Sequence, residues 1–132
     1  LATLFEAPGV CNARYHAARA DRINGGRLAD FRRVVVPKHS PELIVSMLAD
    51  DSLFRTHPGA AYAQAWALTF YLIETQPANY ARYVALTAAR PRFTDYPAAD
   101  RVGDFSSVFG DNWAMLEAQL LRFMAGLRTT DK

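Results

Sequence analysis

The sequence is poor in cysteine and contains no long apolar run. Cys11 is the one cysteine among the 132 residues, so no disulfide can form within the chain. The most apolar stretch, residues 60–73, is interrupted by Gln64 and is shorter than the roughly 18–20 residues that a membrane-spanning helix needs. The first residues lack the basic-then-apolar pattern of a signal peptide. We therefore expect a soluble chain with no signal or transmembrane segment, and the compartment stays open.

Metal-binding residues are also scarce. The histidines are His16, His39 and His57, so no two of them have the i, i+4 spacing of an HExxH helix. The single cysteine excludes a C-x-x-C pair. All three histidines fall in predicted loops or near helix ends, where we expect exposed side chains. The sequence predicts no metal site and no cofactor within this chain.

Signals for nucleophilic or acid–base catalysis are equally weak. No serine stands in a G-x-S-x-G context. Two carboxylate pairs are present, Asp50 with Asp51 and Asp100 with Asp104. The first pair lies at a predicted helix end and the second on a predicted solvent-facing helix surface, so neither is expected in the desolvated pocket that acid–base catalysis needs. The chain alone is not expected to be an enzyme.

Basic and acidic residues nearly balance, which gives a net charge of +2, but the basic residues are unevenly distributed along the chain. Residues 14–38 carry seven basic side chains against Asp21 and Asp30. One interpretation is a phosphate-binding surface; the other is a solvated helix face, or a surface that meets another part of the protein. The arginines do not alternate with a series of aromatic stacking platforms, so we expect no nucleic-acid partner.

Apolar residues recur at helical spacing along nearly the whole chain, and no segment alternates with period two for long enough to predict a strand. The pattern predicts an all-α fold, an irregular bundle of about six helices around a central apolar helix at residues 59–76. We expect residues 1–132 to form one helical domain. The other main helices are predicted near residues 27–36, 41–48, 79–89, 98–109 and 111–127.

Several residues predict where these helices begin, end and pack. Ser40 before Pro41 predicts an N-cap, Gly110 a helix end, and Asp111 the cap of the last helix. Residues 50–58 are predicted to be a connection that turns Leu53 and Phe54 towards the core. The apolar seam of the first helix comprises Leu28, Phe31, Val34 and Val35, and that of the last comprises Trp113, Leu116, Leu120, Phe123 and Leu127.

The central helix carries apolar residues on both faces, so we expect it to be packed on both sides. Tyr62 shares a stripe with Trp66 and Ile73, and a tyrosine in such a stripe is usually a core residue. Trp66 and Trp113 are interpreted as core residues.

The opening segment Leu1–Glu6 resembles the end of the E-G-[FL]-A-[TE]-[YL]-F-E segment of gluzincin zinc metallopeptidases. In that group an HExxH helix supplies two histidine ligands and a general-base glutamate, and a later helix supplies a glutamate as the third ligand. The resemblance implies that the third ligand lies two positions before Leu1 and that HExxH lies further upstream. Glu6 corresponds to the trailing acid of the segment and not to the ligand.

The segment Ala61–Glu74 resembles a second gluzincin element, the Y-x-x-[GA]-x-x-[LF]-x-x-x-L helix of the aminopeptidase-type enzymes. The tyrosine of that helix donates a hydrogen bond to the oxyanion of the tetrahedral intermediate, and the matching position here is Tyr62. Ala65 stands where those enzymes often have glycine, and the resemblance implies close approach of a neighbouring helix there.

Bacterial peptidase-MA-like proteins of unknown function resemble more of the chain. They share a start like Leu1–Glu6, an N-x-G-R-L-x-x-[FL]-R segment like Asn24–Arg32, and a Y-A-Q-[AS]-[WY]-A-L helix like residues 62–68. A final F-G-x-x-x-x-x-L-E pattern matches Phe109 to Glu117.

These resemblances imply a C-terminal fragment of a gluzincin-like zinc-dependent peptidase, cut after its metal-binding part and inactive alone. Zinc is then expected only in the full-length parent, whose status as an active enzyme stays open. The implied partners are the missing N-terminal half and a peptide or protein substrate. The alternative is a non-catalytic peptidase-like module with an interaction or structural role. Leu1 is not a methionine, which agrees with a fragment.

Overall fold

The computed structural model describes residues 19–90 and 96–128 of the chain. These residues form seven α-helices and no strand, as the helical spacing of the apolar residues predicts. The all-α prediction is therefore confirmed. Leu1–Glu6, Cys11 and His16 lie outside the described residues. The helices are α1 (Gly25–Asp30), α2 (Pro41–Ala49), α3 (Ser52–Thr56), α4 (Pro58–Thr75), α5 (Pro77–Ala88), α6 (Ala98–Phe109) and α7 (Trp113–Ala125).

The first helix begins two residues earlier than predicted and changes its winding. The Asn24 side chain accepts the Arg27 N–H at 3.1 Å and caps α1. A π-helical turn, Phe31–Val35, and a 3-10 turn, Val36–Lys38, continue the helix. The π turn is wider than an α turn, so the spacing that predicted Val34 on the inner face fails. Val34 is 38% exposed.

Two predicted caps differ in the structure. Ser40 precedes α2, but its side chain makes no capping hydrogen bond, and Pro41 opens the helix instead. Asn112, not Asp111, caps α7, because Trp113 is the first helical residue and the Asn112 side chain accepts the Met115 N–H at 3.1 Å. Gly110 ends α6 as predicted, with φ of 85°.

Residues 50–58, predicted to be a connection, contain the short helix α3. Asp50 precedes it and accepts hydrogen bonds from the Ser52 N–H at 2.9 Å and the Ser52 hydroxyl at 2.6 Å. These hydrogen bonds lower the pKa of Asp50. Leu53 and Phe54 are half-buried and pack against the core, as expected.

The central position of the long apolar helix is confirmed, although its ends are Pro58 and Thr75. Nine of its residues are buried, on both faces, and Trp66 is fully buried and stacks on Phe70 at 5.2 Å. Trp113 packs on the buried Phe105 at 5.7 Å and is partly exposed. One core cluster joins residues from Ile23 to Leu127. No described helix is both long and apolar enough to cross a membrane.

Helix α7 closes the bundle through a seam of Leu116, Leu120, Met124 and Leu127, all buried. Its carboxyl end is bound by Arg32, whose Nη2 donates to the carbonyl oxygens of Met124 at 3.0 Å and Leu127 at 2.8 Å. A cation at this end of a helix is favourable because the last carbonyls carry partial negative charge. Arg32 thus ties the α1 extension to the last helix.

We expect Arg32→Ala to lower the free energy of unfolding by about 1–2 kcal/mol, because two carbonyls lose a charged donor. Arg33→Ala is the matched control: the Arg33 side chain is 74% exposed and pairs with Asp30 at 3.2 Å, so the loss should be near zero. Urea denaturation of both variants tests this, and equal losses would contradict the role given to Arg32.

Candidate functional site

Tyr62 lies on the first part of α4 and does not lie in the core. It is 42% exposed, so the usual interpretation of a tyrosine on an apolar stripe does not hold here. Its ring meets Phe54 of α3 edge to face at 5.1 Å, and the Arg27 guanidinium of α1 lies 5.3 Å from the ring centre. No described residue hydrogen-bonds its hydroxyl. The ring is therefore contacted by Phe54 and by Arg27 while the residue stays exposed.

The small residue Ala65, one turn after Tyr62, is half-buried and borders a cleft of about 330 Å³ whose lining includes residues of α4 and α5. The close approach of a neighbouring helix that the resemblance implies at this position stays a prediction.

A buried polar cluster lies deeper in the bundle, and it joins three parts of the chain. His39 Nδ1 is 2.9 Å from Glu117 Oε2 on α7, and its Nε2 is 3.1 Å from Gln64 Oε1 on α4. The His39 side chain is 1% exposed and Gln64 is fully buried. The expectation that His39 is exposed is wrong. The partners that enclose its side chain lie far away in sequence, so the residues around His39 do not reveal its burial. His57, by contrast, is exposed as expected and contacts the Thr56 hydroxyl at 3.0 Å.

The hydrogen bonds of this cluster allow two arrangements that differ by one proton. In the first, His39 donates from both ring nitrogens, to Glu117 and to Gln64 Oε1, and the buried Gln64 Nε2 has no partner. In the second, the Gln64 amide is turned over and its NH₂ donates to an unprotonated His39 Nε2. Both arrangements keep the three side chains in contact.

The cluster acts as a structural connection, because the His39 side chain is 1% exposed and joins residues of α4 and α7. It fixes the start of α2 against α4 and α7. Sequence reasoning missed it, although Gln64 was a signal: a polar residue inside an apolar helix needs a partner. Within the described residues, no group of three or more His, Cys, Asp or Glu side chains could hold a metal ion.

A third polar group lies where the chain passes from α5 to α6. Arg90 binds Asp104 through Nε at 2.6 Å and Nη2 at 2.8 Å, and the Tyr96 hydroxyl also donates to Asp104. The Asp104 side chain is 12% exposed, so its predicted solvent-facing position is wrong, whereas Asp100 is exposed. The hydrogen bond from Arg90 lowers the pKa of Asp104. Burial and the hydrogen bond to Asp104 raise the pKa of Tyr96 to about 12.

Most described basic residues of the 14–38 segment make contacts within the fold. Arg19 and Arg22 both bind Glu74, at 3.0 Å and 2.8 Å. Arg32 binds the end of α7, and Arg27 faces Tyr62. The arginines therefore join the start of the described chain to α4 and α7, which agrees with a structural use of this charge. The absence of a nucleic-acid partner stays a prediction.

The fold and its polar groups define an all-helical domain with a buried histidine–carboxylate pair and one exposed, braced tyrosine on its central helix. The chain belongs to a family described as a protein of unknown function, DUF1570, whose model matches residues 1–94, more than two thirds of the 132 residues. The match includes α1 to α5 and Tyr62. No match was found among curated proteins or among solved structures.

The buried cluster should be energetically coupled. We expect a double-mutant cycle of His39→Leu and Glu117→Leu to give a coupling free energy of about 1–2 kcal/mol, because each single change removes the 2.9 Å contact between the two side chains and leaves the partner atom of that contact unpaired. The control cycle uses Arg101 and Asp51, which pair at 3.2 Å with side chains 29% and 62% exposed and should couple by about 0–0.5 kcal/mol. Urea denaturation provides the free energies. Coupling at His39–Glu117 no larger than the control would contradict the connection.

The Tyr96 phenol should make stability depend on pH in the alkaline range. Below pH 10 both states keep its proton; between pH 10 and about 12 the unfolded chain loses it and the folded chain keeps it, so the free energy of unfolding falls. Tyr96→Phe lacks this dependence. We expect the stability difference between wild type and variant to shrink across that range, and parallel curves would contradict it. The difference in phenolate absorbance between them should have its midpoint at about pH 12.

Proposed function

We propose that this chain is the helical C-terminal subdomain of a gluzincin-like zinc peptidase and that Tyr62 supplies its oxyanion donor. The observation that carries the proposal is the 42% exposure of Tyr62 on a helix whose other large aromatic residues are buried. A core tyrosine could not serve this role. The resemblance of residues 1–6 and 61–74 to the two gluzincin segments supports the same assignment.

The surroundings of Tyr62 suit a group that must donate from a fixed position. Phe54 contacts one part of its ring and Arg27 faces another, so rotation of the ring is restricted before any substrate arrives. A donor held in place needs little reorganisation when charge develops on the substrate oxygen. Gln64, two residues further on, binds His39 and keeps this part of α4 against the rest of the bundle.

The metal would be held outside the described residues. The resemblance places HExxH and the third glutamate ligand upstream of Leu1, and the described residues contain no group of side chains able to replace them. Zinc in such enzymes polarises the substrate carbonyl and activates water. This chain would contribute the Tyr62 hydroxyl and a rigid support for the metal-bearing half, and the substrate would be a peptide or protein.

A second candidate is a non-catalytic peptidase-like module. Val34 and Val36 are 38% and 40% exposed on the α1 extension, next to a recess of about 210 Å³ whose lining includes Leu43 and Leu53. An exposed apolar surface of this kind suits either the missing half of the parent or a protein partner. The activity of the parent distinguishes the two candidates.

We expect Tyr62→Phe in the full-length parent protein to lower kcat for peptide hydrolysis by about 100- to 1000-fold, because one oxyanion donor is removed. Thermal stability should be unchanged, since no described residue hydrogen-bonds this hydroxyl. Tyr71→Phe is the matched control on the same helix: its buried hydroxyl binds Gln119 at 3.3 Å, and turnover should persist.

Unchanged hydrolysis in Tyr62→Phe would refute the catalytic role of this hydroxyl. A parent sequence without HExxH and the upstream glutamate would refute the peptidase assignment itself and favour the interaction module.

A further inference from the structure

Helix α5 lies over the core without entering it. Its residues Tyr80, Tyr83, Val84 and Thr87 follow the spacing of a core-facing stripe, yet no residue of α5 is buried, and Val84 is 36% exposed. Tyr83 attaches the helix to α6 through edge-to-face contacts with Phe105 at 5.5 Å and Phe109 at 5.8 Å. The inner face of α5 therefore has an apolar pattern but lacks full packing contacts.

The space beneath this face is a cleft of about 330 Å³ between α5 and the helices α2, α3, α4 and α6. Its floor includes Leu68, Leu72 and Phe105, which are 3%, 1% and 1% exposed, so the cleft reaches the core itself. An apolar cavity of about 150 Å³ is enough to hold benzene. This cleft is more than twice as large.

The described residues that line the cleft are uncharged. None of them is an Asp, Glu, Lys, Arg or His, and their polar side-chain groups are the hydroxyls of Thr69, Tyr80, Tyr83 and Thr87. A charged ligand would lose its hydration there without gaining a partner of opposite charge. The complementary ligand is neutral and mainly hydrocarbon.

The Tyr83 hydroxyl remains available in the cleft. Thr87 donates to the Val84 carbonyl at 3.0 Å. Burial raises the pKa of Tyr80, and the nearby Thr69 side chain partly offsets this rise. The Tyr83 hydroxyl has no hydrogen-bond partner among the described residues. Burial raises the pKa of Tyr83, and the negative charge of Asp104 adds to this, so the phenol remains a neutral donor at physiological pH.

We propose that the cleft beneath α5 binds a small uncharged molecule that is mainly hydrocarbon and carries one hydrogen-bonding oxygen. The apolar floor and the inner face of α5 hold the hydrocarbon part, and the Tyr83 hydroxyl donates to the oxygen. This site is separate from the proposed role of Tyr62 and does not depend on peptidase activity.

Titration of the 132-residue chain with 1-octanol tests the site, with backbone amide NMR shifts as the readout. We expect saturable shifts that concentrate on α5 and a Kd of about 1 mM or tighter, in keeping with the usual affinity per ligand atom. Octanoate, which has the same chain length but carries a carboxylate, should bind at least about tenfold more weakly because its charge must be desolvated.

Filling the cleft should abolish binding. Ala65→Leu fills it from α4 and Thr87→Leu from α5, so that one filling variant is available if the other does not fold; each should weaken 1-octanol binding at least about tenfold. Ala81→Leu, on the exposed outer face of α5, is the control and should leave binding unchanged. Tyr83→Phe should weaken octanol binding while leaving the fold intact.

Three results would overturn the proposal: no saturable shifts with 1-octanol, equal binding of octanol and octanoate, or unchanged binding in both filling variants. The first would identify the cleft as a simple packing gap.

Discussion

Burial of α4 on both faces is the constraint on which the rest of the structure depends. A helix that is apolar all round must be surrounded, so α1, α2, α3, α5 and α7 are all arranged against it. Among the described residues, α4 is open at Tyr62, which is 42% exposed, and at Ala65, which borders the cleft beneath α5. Both features that we associate with function lie where the surrounding of α4 is incomplete.

The same burial explains the polar cluster. Gln64 is fully enclosed, and an enclosed amide without a partner is strongly unfavourable. The inward side chain of His39 gives the Gln64 amide oxygen a partner, and the other ring nitrogen of His39 contacts Glu117. Through His39 and Glu117, one polar residue on the central helix is thus linked to the segment before α2 and to the last helix. An entirely apolar α4 could contact these parts of the chain only by apolar packing.

The sequence predicted those parts of the fold that depend on neighbouring residues. The central helix, the end of α6 at Gly110 and the seam of α7 follow from spacing and glycine chemistry within a few positions. His39 could not be placed, because its partners are 25 and 78 residues away. Val34 failed for a local reason, the π turn, which apolar spacing does not reveal. The exposure of Tyr62 depends on how Phe54 and Arg27 flank α4, and helical periodicity alone indicated burial.

The attachment of α7 has a consequence for where the packed unit of this chain ends. The family match stops at residue 94, before α6 and α7, yet Arg32 and His39, both inside the match, bind groups on or just after α7. A polypeptide cut at the end of the match would remove the groups that Arg32 and His39 bind and would uncover Phe70 and Tyr71, which pack against Phe123. The packed unit of this chain therefore extends at least to Leu127.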